Sequence, residues 1–394
     1  MRIVCSHSVV RHALLAAVVA LALSLTACGG EGSEGGGADD SGPVRIGVLL
    51  PYTGPFGLYG KPMEAALRAR MAADGNKVDG RPVELVFEDE ATDPKVAVSK
   101  ATKLLDQEDV NAVVCCATGG ATLAVAPILS ERKVPQLGPI PNPAGLSEYD
   151  TAAVAAPTAA HDAEVLGRHA AGELGHKQAA IIASDFAYGK EVAEGFTAGF
   201  ESGGGQVVKQ VFAPLGTQDF GSYLTQLGNP DVVFAGFAGA DAIGLVKQYR
   251  KFGVKSPLIG HGPLVTELVL NAIGPAAVGV GAGFYYSSQL DNPENKKFIG
   301  AMSENPKFIP SHFTAGAWAT GSVLLDAIQR AGADTSDGEA FAKAIRETEI
   351  EAPWGPLRFD QETGYAVAPT YYYEVTREGG KLRHDIKGEI SPSS

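Results

Sequence analysis

From Val44 onward the chain alternates short apolar runs with amphipathic stretches. Val44–Leu50 is apolar apart from Arg45 and carries β-branched residues, the pattern of a buried strand. Pro62–Asp74 spaces Met63, Ala66, Leu67 and Met71 at helical intervals and stops near Gly75, where a helix is expected to end. Val83–Glu88 reads as the next strand. Asp93-Pro94 opens a helix that carries Val96, Val98, Leu104 and Leu105 and ends before Asp109. Val110–Cys116 is a strand, Ala121–Glu131 a helix and Val134–Leu137 a strand. Strand, loop and helix in strict succession predict a doubly wound α/β unit around a parallel sheet.

A second unit of the same rhythm follows. Helices are predicted at His161–Leu174, Tyr188–Ser202, Phe220–Leu227 and Asp241–Phe252. Strands are predicted at Gln178–Ala183, Gln206–Phe212, Asp231–Ala235, Pro257–Ile259 and Val278–Tyr286. Three helices, Pro293–Glu304, Phe313–Ala331 and Asp337–Glu347, then come without a strand between them, before late strands at Pro356–Phe359 and Thr370–Val375. The 394 residues exceed what one core usually supports, which also favours two lobes.

The N-terminal stretch has another pattern. Arg2 and Arg11 precede the apolar run His12–Leu25, and small residues lead to Cys28. A positive start, a short apolar middle and a small-residue exit make a secretory signal peptide. Residues 28–43 are Gly-rich with scattered acids and read as a flexible tether. Its random-coil reach is roughly 20 Å.

The formal net charge is −13, and loss of Arg2 and Arg11 with the leader makes it more negative. Such a surface offers no basic patch for nucleic acid or anionic lipid. Of the four cysteines, Cys115 and Cys116 remain beyond the tether. Neighbouring strand residues point to opposite faces, so the pair reads as buried free thiols, with a vicinal disulfide as the alternative. No nucleophile elbow, phosphate loop, zinc spacing or paired acid–base motif is present. The chain does not read as an enzyme, nor as a protein that needs a cofactor or metal.

In open α/β sheets, ligands sit beyond the C-terminal ends of the strands, so the loops there matter most. Residues 51–60, PYTGPFGLYG, are rich in turn formers and carry three aromatics. They read either as an aromatic wall over a ligand or as a surface loop with one buried ring. Thr118-Gly119-Gly120-Ala121-Thr122 precedes a helix and reads either as an anion cradle or as a plain N-cap. Phe186, Tyr188, Phe237 and His261 follow strands of the second unit.

Several stretches match a known family in order: IGVLLPYTGPFGLYGKPMEAAL, Gly80–Leu85, EDEATDPKVAV, CCATGGATLAVAPIL, Asp185–Gly189, NPDVVFAGF and WGPLRFDQETG. From Val44 to about Tyr373 the chain resembles the extracytoplasmic solute-binding proteins of ABC importers, of the branched-chain amino acid (Leu/Ile/Val-binding) type. The resemblance implies a type I periplasmic-binding-protein fold with two doubly wound parallel-sheet lobes joined by three hinge crossovers, near 157, 286 and 355. One lobe would comprise 44–157 and 286–355, the other 158–285 and 356–394. It implies a monomer that traps a small solute between its lobes and hands it to an ABC permease in the membrane. A ligand sensor on the same fold is the alternative. The segment before Cys28 resembles a lipobox, which implies cleavage after residue 27 and lipidation of Cys28.

The family's ligand positions carry over one by one. Its first-loop aromatic falls on Tyr59, and its carboxylate-holding segment on Thr118, Gly119, Gly120 and Thr122. The next loop falls on Ile140, Pro141 and Asn142. Its second-lobe aromatics fall on Tyr188 and Phe237. The acidic residues that meet an amino acid's ammonium fall beside His261 and near His161, and both acids look absent. The resemblance with this departure implies a ligand with an acid group and either no amine or an amine met differently; aromatic or short organic acids fit walls made by Tyr59, Phe186, Tyr188 and Phe237.

Overall fold

The computed structural model describes residues 42–303 and 309–390. The predicted signal peptide, Cys28 and nearly all of the tether lie outside the described residues. No helix among the described residues is long and apolar enough to cross a membrane.

The first unit is built from β1 (Val44–Leu50), α1 (Gly57–Ala73), β2 (Lys77–Val78), β3 (Arg81–Asp89), α2 (Pro94–Glu108), β4 (Ala112–Val114), α3 (Gly119–Glu131), β5 (Gln136–Gly138) and β6 (Ala152–Val154). Its six-stranded sheet runs β2-β3-β1-β4-β5-β6. All neighbours are parallel except the short β2, which folds back on β3. Because β1 lies between β3 and β4, the strand order reverses there, and the crevice of a doubly wound sheet opens at that point.

The second unit contains α4 (Ala159–Gly172), β7 (Gln178–Ser184), α5 (Ala187–Ser202), β8 (Gln206–Ala213), the single turn α6 (Gly221–Leu224), β9 (Val232–Gly236), α7 (Gly239–Lys251), β10 (Leu258–His261), α8 (Glu267–Ile273) and β11 (Gly281–Phe284). Its core strands are parallel, with β7 between β8 and β9, so the order again reverses at the first strand. The chain then forms α9 (Pro293–Ser303), α10 (His312–Arg330) and α11 (Gly338–Arg346). Here α10 packs on α1, and α11 against β6.

The strands β12 (Glu349–Ala352), β13 (Gly355–Phe359) and β14 (Ala366–Val367) form a small antiparallel sheet. Tyr365 bridges to Val154 of β6. The chain joins the second sheet only at β15 (Thr370–Glu378), which pairs antiparallel with β11 and with β16 (Lys381–Ile390). Residues 356–367 therefore stay beside the first sheet, a dozen positions beyond the crossover the sequence suggested at 355.

Cys115 and Cys116 are joined as a disulfide, not kept as the free thiols the sequence favoured. The reason is where the strand stops. β4 ends at Val114, so the opposite-face rule for strand neighbours does not apply to the pair. Both residues are fully buried.

α4 and α5 pack unusually closely, through glycine. A Cβ at Gly199 would overlap the Glu164 carbonyl, one at Gly195 the Ala160 carbonyl, and one at Gly167 the Phe196 carbonyl. Helix axes separate when such a contact is filled, and overpacking of this kind costs about 1–3 kcal/mol. Gly199→Val is expected to lower stability by that amount, read as an earlier urea midpoint. An unchanged midpoint would show that the α4–α5 contact yields freely.

Candidate functional site

The C-terminal ends of the two sheets face one another across a cavity of about 110 Å³. Its lining follows from strand direction. Phe56 and Tyr59 come after β1, Ala117, Thr118 and Gly119 after β4, and Ile140 and Pro141 after β5. From the other side come Ser184 at the end of β7, Phe186 and Tyr188 after it, Phe237 and Asp241 after β9, and His261 and Phe284 at the ends of β10 and β11. His312 and Phe313 enter from the start of α10.

The walls are rings. Tyr59 stacks on Phe313 with centroids 3.8 Å apart and on Phe56 at 5.8 Å. Phe284 stands nearly perpendicular to two imidazoles, His261 at 4.7 Å and His312 at 4.8 Å. Offset and edge-on ring pairs favour such a layered wall beyond the area they bury. The volume is of the order of the engineered ~150 Å³ apolar cavities that admit one benzene ring.

Polar groups are few and directed. The Tyr59 hydroxyl is buried without a hydrogen-bond partner, and burial raises its pKa well above the ordinary phenol value. Gly239, at the first turn of α7 with φ +59°, would carry a Cβ 3.4 Å from that hydroxyl. Its missing side chain therefore keeps the phenol close to a helix N-terminus. α3, α5 and α7 all start at the cavity, and their free N–H groups favour negative charge. Tyr188 Oη lies 2.9 Å from His261 Nδ1. His261 Nε2 lies 3.8 Å from Asp162 Oδ2, and Asp162 Oδ1 accepts a 2.7 Å bond from the Thr370 hydroxyl.

The structure gathers Tyr59, Thr118, Gly119, Ile140, Phe186, Tyr188, Phe237 and His261 around the cavity. Thr118 also caps α3, its hydroxyl accepting from the Ala121 N–H at 3.4 Å. Gly120, Thr122, Asn142 and His161 do not line it. The Thr122 hydroxyl donates to Asn142 Oδ1 (2.6 Å), and Asn142 Nδ2 donates to the Ile140 carbonyl (2.7 Å). These two side chains hold the loop that presents Ile140. A Cβ at Gly120 would face Pro94, away from the cavity. His161 lines a separate cleft with Thr158, Asp360 and Tyr365. Successive helical residues differ by about 100° in direction, so with Asp162 turned inward His161 is turned out.

The acids that looked absent are present elsewhere. Asp241, in the first turn of α7, lines the cavity, and burial raises its pKa, opposed by the N–H of Gly216. Asp162 lies behind His261 and is fully buried. Both occupy the apolar stripe of their helices: Asp162 falls between Ala159 and Leu166, and Asp241 four before Leu245. A charge on an apolar stripe was the signal available in the sequence. Phe284, His312 and Phe313 left no such signal, because they read as ordinary core residues.

With this geometry the relatives can be placed. The periplasmic binding protein family matches residues 43–381, and the chain belongs to that family. It is 29% identical to the Leu/Ile/Val-binding protein homolog 6 of Brucella melitensis, over 85% of this chain and 88% of the relative. Among solved structures, an ABC-transporter solute-binding protein of R. palustris in complex with 4-hydroxybenzoate superposes with a TM-score of 0.82 at 28% identity, covering 88% of this chain and 96% of that one. A leucine-binding protein of Thermotoga maritima does so with a TM-score of 0.79 at 26% identity, covering 89% and 99%. The fold is the type I periplasmic-binding-protein fold. The chain is thus a substrate-binding protein of the ABC-transporter, branched-chain amino acid type, from an extracytoplasmic family of solute binders rather than enzymes.

Burial also sets a pH dependence. His312 is buried, with Nδ1 3.3 Å from the Thr266 hydroxyl, and desolvation followed by the charges of His261 and His384 holds its pKa well below the ordinary imidazole value. The unfolded chain then binds a proton that the folded chain refuses. Stability from the neutral ring is present above about pH 6.5 and lost below it, by up to about 1.4 kcal/mol per pH unit. His312→Asn is expected to flatten the loss of stability between about pH 7 and about pH 5. Equal slopes for variant and wild type in urea titrations would contradict a neutral buried His312.

Proposed function

We propose that the protein captures a small, ring-bearing carboxylic acid between its lobes and delivers it to an ABC permease. The observation that carries this reading is the buried, unpartnered Tyr59 hydroxyl in a ring-lined cavity on which three helices start. A hydroxyl donor and helix N-termini suit a carboxylate, and the stacked walls suit a flat ring. The 4-hydroxybenzoate complex of the R. palustris relative supports the same ligand class. One observation favours a second reading. Asp241 on the cavity wall offers a partner for the ammonium of a branched-chain amino acid.

Thermal-shift measurements on the mature protein separate the two. Benzoate and 4-hydroxybenzoate at about 100 times Kd should add about 2.7 kcal/mol of apparent stability, while leucine and valine add little. The reverse ranking would establish the amino-acid reading.

The location completes the proposal. The leader and Cys28 support a protein lipid-anchored to the extracytoplasmic side of the cell membrane, with residues 28–43 as its tether. Cys28→Ser is expected to move the protein from the membrane fraction to the soluble extracytoplasmic fraction with its ligand affinity intact. A variant that stays with the membrane would rule out a lipid on Cys28.

A further inference from the structure

The residues lining the cavity include no lysine or arginine, and they do include Asp241. A buried carboxylate with no cation beside it is costly, so an acid ligand needs a positive charge from somewhere. The lining supplies two imidazoles, His261 and His312. His312 faces the Thr266 hydroxyl and, among the described residues, has no carboxylate within ion-pair distance. His261 is different. Its Nε2 stands 3.8 Å from Asp162 Oδ2, and both atoms are buried without a hydrogen-bond partner.

We propose that Asp162, His261 and Tyr188 form a proton-uptake relay, so that the protein takes one proton from solvent onto His261 as an acid ligand enters. The proposal rests on the reading of a carboxylate-bearing ligand. With one ring proton on Nε2, directed to Asp162, Nδ1 is an acceptor and the Tyr188 hydroxyl donates to it across 2.9 Å. Tyr188 then shows the cavity only lone pairs, which repel a carboxylate. A second ring proton on Nδ1 reverses that bond. Nδ1–H donates to Tyr188 Oη, and the Tyr188 hydrogen turns to the ligand oxygen. Asp162, held by Thr370, pairs with the imidazolium, and uptake of one proton offsets the charge that the ligand adds, so the net charge of the site is unchanged on binding. Tyr188 is the group that meets the ligand; His261 and Asp162 are positioning residues that set whether it donates or accepts.

Other titratable groups surround this relay. Asp241 and Tyr59 share the cavity. His312 lies across Phe284 and feels the His261 charge. Tyr285 and Tyr373 feel the Asp162 charge. Glu191, nearly one turn beyond Tyr188 on α5, is pushed up to about 7 by burial. Asp241 and Glu191 are therefore the competing sites for the proton.

Isothermal calorimetry of the mature protein in buffers of different ionisation heat counts protons directly, with benzoate, 4-hydroxybenzoate and leucine as probes. Wild type should take up about one proton per ligand near pH 8, and Kd should rise about tenfold per pH unit above that. Asp162→Asn and His261→Gln should abolish the uptake, while Glu191→Gln retains it. A wild-type count of zero, or loss of uptake in Glu191→Gln instead, would overturn the relay. If leucine alone binds, the ring-acid reading fails, yet the proton count on leucine's carboxylate still decides this proposal. If none of the probes binds, the His261 ring signals in NMR decide it. They should titrate at lower pH in Asp162→Asn than in wild type, and identical titrations would refute the coupling.

Discussion

Parallel strands leave a sheet from one edge, and that constraint organises the whole protein. Every loop after β1, β4, β5, β7, β9 and β10 emerges on the side where the two sheets face each other. Residues far apart in sequence therefore reach one cavity without any of them lying in a regular element's middle. The reversal of strand order at β1 and at β7 leaves a gap between neighbouring crossovers in each sheet, and Tyr59 and Tyr188 stand at the two gaps. The start of α10 then closes the site from one side by sending His312 and Phe313 against Phe284 and Tyr59.

The chemistry of the cavity follows from what it lacks. A wall of rings excludes water, which strengthens every charge inside it. With no lysine or arginine among the lining residues, the positive potential comes from helix N-termini and from imidazole, whose charge is adjustable. The close α4–α5 contact matters here as well. The glycines that let α5 approach bring Tyr188 on one helix and Asp162 on the other to opposite nitrogens of a single ring.

Much of the fold was legible in the pattern of residues. Apolar runs bounded by turns located β1, β3, β7 and β9, and the capping pair Asp93-Pro94 located α2, where Asp93 accepts from the N–H groups of Lys95 and Val96. Weak periodicity misled at α6, where an expected helix is one turn long. The strand-end loops pointed to Tyr59, Thr118, Tyr188 and His261. They also pointed to Thr122, and the family resemblance to Asn142 and His161; all three face other partners, because neither loop spacing nor a resemblance says which way a side chain turns.

The sequence alone determined the alternation of strands and helices and carries the apolar stretch that ends at Cys28. These are local properties, written in short-range spacing and composition. Only the tertiary structure decided which loop residues converge, that Cys115 and Cys116 lie beyond the end of their strand, that Asp162 stands behind His261 and that Asp241 lies on the cavity wall. Those facts depend on contacts between segments up to about two hundred positions apart, such as Thr370 with Asp162. Such contacts are fixed by how two sheets pack and leave little trace in the order of residues.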